Sequence, residues 1–162
     1  SGGLVGSEMC IRDSCLNVEG IKFNLFGNID RIDKLGNLVR IIDYKSGKVD
    51  QKDLSFNTFD ELISDPNKSK AFQLLFYSYL YAKNRKTDQF FKVGIYSLKN
   101  LDDGVIYLKY KKTALEINSS VIDDFEKVLK TLLLNILHIE KEFSASESTN
   151  INQWKDFQSI FQ

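Results

Sequence analysis

The sequence predicts an α/β fold, a mixed β-sheet with helices packed on it. Two pairs of segments, 21–45 and 90–112, are rich in β-branched and aromatic residues and alternate as strands do. Each pair is followed or separated by a stretch with the spacing of a helix. The order strands, helix, strands, helix is that of a mixed sheet flanked by helices.

Taken in order, "IKFNLFGNIDRID" and "NLVRIIDYK" are the first two strands, with Gly36-Asn37 as a two-residue hairpin loop. "DPNKSKAFQLLFYSYLYAKN" begins a helix, because Asp65 can cap it and Pro66 suits the first helical position. That helix is apolar nearly all round and should be buried. "FFKVGIYSL" and "GVIYLKYKK" are strands joined by the polar turn "KNLDDG". Ser119 or Ser120 then caps a long helix whose apolar positions 121, 125, 128, 129, 132, 133, 136, 139 and 143 follow the 3.6-residue period. Residues 1–15, opening "SGGLVGSEMCIRDS", show no periodicity and are expected to be a non-native or disordered segment outside the fold. Residues 144–162 read as a polar tail with a small aromatic end, packed on the domain or trailing it.

Composition narrows the classes. The 162 residues suffice for one domain with a real core. Lys plus Arg and Asp plus Glu both number 22, so the chain is not basic overall and any nucleic-acid contact must come from a local patch. No run of eighteen apolar residues occurs, so no membrane partner is expected. Cys10 and Cys15 make neither a disulfide framework nor a zinc site, and no secretory signal is visible, so a cytoplasmic location is expected.

Asp30, Asp33 and Asp43 are acids where a half-buried sheet would carry valines. A two-residue loop at Gly36-Asn37 sets Asp30 directly opposite Asp43, and alternation puts Lys45 on the face of Asp43. Two carboxylates ~5 Å apart at an effective dielectric near 20 repel by about 3 kcal/mol. A good cross-strand pair returns only about 0.2–1 kcal/mol. A shared proton, Lys45 or a divalent cation could offset the repulsion. Hard carboxylate oxygens suit Mg²⁺ or Mn²⁺, and a cation accounts for both acids and the lysine together. The bland alternative is a structural ion pair. Asp33 is expected to pair with Arg31 or Lys34 at the turn, and His138 to be solvated surface. Lys109, Lys111 and Lys112 either contact phosphates or form a solvated strand end. The aromatics of 72–81 are expected in the core.

"GNID", then "DYK" thirteen residues after its aspartate, then "QLLFY" about thirty residues on, resembles the RecB-like branch of the PD-(D/E)XK nuclease superfamily. The likeness is nearest to the C-terminal nuclease domain of RecB/AddB-type helicase–nucleases. It implies a restriction-endonuclease-like mixed β-sheet flanked by helices over residues 16–143, with the first helix of the core missing. It implies that Asp30, Asp43 and the backbone carbonyl of Tyr44 bind Mg²⁺ or Mn²⁺. Lys45 would orient or help deprotonate the attacking water and stabilise charge at the phosphate. Gln73 and Tyr77, one helical turn apart, would sit beside the site and position the lysine and DNA.

Such enzymes carry a metal-binding histidine on a helix upstream of G-x-x-D, so activity is expected of a longer parent protein. Some relatives hold an iron–sulfur cluster on cysteines near the domain's end. "INQWKDFQSIF" has none, and no cluster is expected. The resemblance thus implies a Mg²⁺-dependent deoxyribonuclease module in DNA repair or recombination, partnered by helicase domains or subunits and associated with a bacterial nucleoid. Two alternatives are a catalytically silent DNA-binding or assembly module of the same fold, and a stand-alone RecB-like exonuclease.

Overall fold

The computed structural model describes residues 7–85 and 89–145, with side chains over 14–85 and 89–140. Strands β1 (Ser7–Val18), β2 (Ile21–Leu35), β3 (Leu38–Lys45), β5 (Phe91–Ser97) and β6 (Val105–Tyr107) form one sheet in the order β1-β2-β3-β5-β6. Neighbours are antiparallel except β3 and β5, which run parallel. A parallel pair needs a long crossover, and the helix α2 (Ser69–Arg85) lies within it. The crossover also holds β4 (Ser55–Phe56) and the short helix α1 (Glu61–Ser64). β4 joins β7 (Lys109–Tyr110) and β8 (Thr113–Ala114) in a small second sheet. The chain continues in α3 (Ser119–Ala145).

The β2–β3 hairpin closes as its sequence predicts, with Leu35 opposite Leu38 and Arg31 opposite Ile42. Gly36 takes φ +62°, as the first central position of a type II′ turn requires, and Asn37 needs no positive φ. At the start of α2, Asp65 Oδ1 accepts from Asn67 N at 2.9 Å, and a 3₁₀ turn over Pro66–Lys68 leads into the helix. As expected, α2 is buried on most sides: Ala71, Phe72, Leu74, Leu75, Phe76, Tyr79, Leu80 and Tyr81 all lie in the core. It sits between the sheet and α3. Phe72 and Tyr79 meet Phe125 with ring centroids 5.3 and 6.3 Å apart. Full burial of each large apolar side chain stabilises the fold by about 1.5–3 kcal/mol.

Several expectations need correction. Residues 7–15 are strand rather than a segment outside the fold, and β1 pairs with β2 along its length. The single strand expected over 104–112 is split: Leu108 is fully buried, and the chain leaves the main sheet there to form β7. Neither Ser119 nor Ser120 caps α3. Asn118 does, its Oδ1 accepting from Val121 N at 3.0 Å, which an asparagine does as well as a serine. The buried stripe of α3 is Ile122, Phe125, Val128, Leu129, Leu132, Leu133 and Leu137, whereas Val121 and Ile136 are only partly covered. Position 143 is among residues whose side chains are not described, and 146–162, most of the expected tail, lie outside the described residues. Among the described residues no helix is long and apolar enough to cross a membrane.

Candidate active site

The site lies where β2 and β3 stop pairing regularly. Between the pairs Ser7–Ile32 and Met9–Ile29, three steps of β2 span two of β1, so β2 carries one extra residue there. This bulge lets two neighbours serve one face of the sheet. Ile29 enters the core at 1% exposure, while the charge of Asp30 acts on both Asp43 and Tyr77. Asp30 Oδ2 accepts a hydrogen bond from the backbone N of Tyr44 at 2.9 Å. A side chain there ties β3 to β2 just past the last regular pair of the two strands, Arg31–Ile42.

Asp43 is 4% exposed. Lys45 Nζ forms an ion pair with its Oδ2 at 2.9 Å. That oxygen is removed from solvent, so the Lys45 ammonium is the partner that offsets its burial. Burial raises the Asp43 carboxyl above its ordinary 3.8, Lys45 pulls it back, and the charge of Asp30 pushes it up again; the net effect is a rise. Tyr77 completes the cluster. Burial, followed by the charges of Asp43 and Asp30, raises its phenol above the ordinary 10.0, so it stays neutral and able to donate. Gln73 Nε2 donates to Tyr77 Oη at 3.0 Å.

Gly27 explains how the α2 tyrosine comes so near the strand. A Cβ there would stand 2.9 Å from Leu80 Cδ1 and 3.4 Å from Tyr77 Cε1. A side chain there would press on the ends of Leu80 and Tyr77, so glycine eases the close approach of α2 to β2. On the β5 side, Lys45 lies beside Ser97, and its carbonyl accepts from Leu98 N at 2.8 Å. The fully buried Ser97 Oγ donates to the Gly47 carbonyl at 2.8 Å, pinning the loop just after the lysine.

The structure therefore brings Asp30, Asp43, Lys45, Gln73 and Tyr77 together. It leaves Asp33 out. Alternation sends that residue to the opposite face, where it is 1% exposed and bound bidentately by Arg40 Nε and Nη2 at 2.7 and 2.8 Å. Arg31 pairs with it at 3.0 Å as expected, but Lys34 is not its partner. Arg40 was missed although the signal was present: the pairing that sets Asp30 opposite Asp43 also sets Asp33 opposite Arg40. The other polar residues of α2 are engaged elsewhere, Lys70 with Asp53 and Asn84 with Ser14. His138 is exposed. Lys111 and Lys112 are exposed on the β7–β8 turn at φ 47° and 70°.

The donor set suits a hard divalent cation. A buried carboxylate next to a second one offers the oxygen ligands that Mg²⁺ or Mn²⁺ takes. Among the described residues no group of three or more His, Cys, Asp or Glu side chains could hold a metal. The protein's side-chain share at this site is therefore two carboxylates, leaving room for water and substrate oxygens.

A mixed sheet carrying an aspartate, an Asp-x-Lys and a Gln–Tyr helix over them is the framework of a nuclease. The family model of the PD-(D/E)XK nuclease superfamily matches residues 5–156, and the chain belongs to that superfamily. Nucleases of this group generally use divalent metals. The chain is also similar to one subunit of the ATP-dependent helicase/deoxyribonuclease of Clostridium tetani (strain Massachusetts / E88), 63% identical over 35 residues. That match covers 19% of this chain and 3% of the relative. No solved structure matches the chain significantly.

Proposed function

We propose that the chain is the divalent-metal-dependent, DNA-cleaving module of a RecB/AddB-like helicase–nuclease that serves DNA repair or recombination. The observation that carries this reading is the buried Asp43 carboxylate, which stands beside Asp30 and 2.9 Å from Lys45. Purely structural ion pairs do not call for a second acid at that point. Asp30, Asp43 and the Tyr44 carbonyl would hold Mg²⁺ or Mn²⁺. When bound, the ion supplies Lewis acidity and neutralises charge developing on the phosphate.

The chain's own groups do the rest. The Lys45 side chain, held by Asp43 and partly open to solvent, orients the attacking water and donates to a phosphate oxygen. The neutral Tyr77 hydroxyl, steadied by Gln73, positions the lysine and the DNA strand. A helicase partner is supported by the helicase/deoxyribonuclease name of the C. tetani relative, and a cytoplasmic, nucleoid-associated setting follows from that role.

The test is cleavage of linear DNA by this chain and by the longer protein that contains it, with Mg²⁺ or Mn²⁺ and with a chelator. Cutting should require the ion and disappear with Asp43→Ala and Lys45→Ala combined. Cutting that survives the double substitution rules out this site.

A further inference from the structure

On the face of the sheet away from α2, five side chains form a connected polar network that no step of the hydrolysis uses. Asp33 is at its centre, gripped by Arg40 from β3 and by Arg31 from its own strand. Arg40 Nη1 reaches Tyr107 Oη on β6 at 3.3 Å, and Arg31 Nη1 donates to Tyr44 Oη at 3.0 Å. The Tyr44 ring also meets Tyr96 edge-on at 6.1 Å. A buried ion cluster is weak evidence for stability, since apolar residues of like volume often do as well. What marks this one is where it ends.

Tyr44 stands between Asp43 and Lys45, and its backbone N donates to Asp30. Regular pairing of β2 with β3 ends at Arg31–Ile42, one residue before the two acids. From there two bonds tie residue 44 back to β2: its amide to Asp30 on the near face and its hydroxyl to Arg31 on the far face. We propose that Arg31 and Tyr44, anchored by Asp33, are positioning residues that hold the Asp30–Tyr44 junction from behind the sheet and so set the separation of the two metal-binding acids. The role of the junction rests on the metal-site reading given above; its existence does not.

The test is amide hydrogen exchange of the metal-free chain by NMR, read at residue 44 with Ile41 as reference, alongside Mn²⁺ titration. Tyr44→Phe removes one hydroxyl and keeps the ring against Tyr96, so the fold survives; Arg31→Leu is the second variant. In both, the residue-44 amide should exchange roughly three- to tenfold faster, the change one lost hydrogen bond brings, with Ile41 unaffected. Mn²⁺ affinity should fall in the same variants. Unchanged exchange at residue 44, or equal acceleration at Ile41, overturns the proposal, as does full Mn²⁺ affinity in a variant whose residue-44 amide has opened. Should the unsubstituted chain bind no Mn²⁺, the metal-site reading fails while the exchange data still decide the brace.

Discussion

Asp43 is buried with Lys45 as its ion-pair partner, and burial outweighs that pair, so its carboxylate is a cost to the fold. Because burial raises its folded pKa, the folded state favours the neutral acid. Stability that Asp43 allows at low pH is lost as pH rises through the folded value, and the deficit persists above it. Asp43→Asn should therefore raise Tm at pH 7, with the gain fading as pH is lowered toward the ordinary 3.8, while DNA cleavage is lost. A thermal melt at several pH values checks the sign. Gly27 is the second pressure point. Gly27→Ala pushes the ends of Leu80 and Tyr77, so it should cost about 1–3 kcal/mol by overpacking and reduce cleavage, with both read on the same preparation. Both acids and the lysine were legible in the sequence because one turn fixes one pairing. The crowding at Gly27 was not, since it depends on how close a helix forty-odd residues away approaches.

At the scale of elements, α2 and α3 are clasped by Glu126. Tyr79 Oη donates to it at 3.0 Å, and Lys83 and Lys130 pair with it at 2.8 and 2.9 Å. Burial alone would raise this carboxyl, but Lys83, Lys130 and the Tyr79 hydroxyl together hold it at about 2, below its ordinary 4.5. The resulting stability is present above pH 4.5 and is lost as pH falls through the folded value. After allowance for screening by water, Glu126→Gln should cost about 2 kcal/mol at pH 7 and only a small fraction of that near pH 2, read by urea unfolding at the two pH values. The hairpin, the buried helix and the long amphipathic helix were all visible as periodicity. Strand β1 was not, for a physical reason. Between Ile11 and Ser14 it carries an extra residue against β2, and that shift breaks the alternation by which a strand is recognised. The same strand creates the bulge at Asp30, so that detail of the site was hidden with it.

Over the whole molecule, a chain with no net charge is arranged so that charge is local. A five-stranded sheet supplies two acids and a lysine from adjacent strands, α2 lays Gln73 and Tyr77 over them, and α3 closes the core from outside. The superfamily match over residues 5–156 takes in all of these elements. The central claim is that the two acids tolerate each other because they share a hard divalent cation. The most direct measurement is calorimetric titration of Mn²⁺ into the chain and into its Asp30→Asn variant at neutral pH. The account predicts uptake of one ion by the unsubstituted chain, weakened by about tenfold or more in the variant. No uptake, or equal affinity in the two proteins, would contradict it.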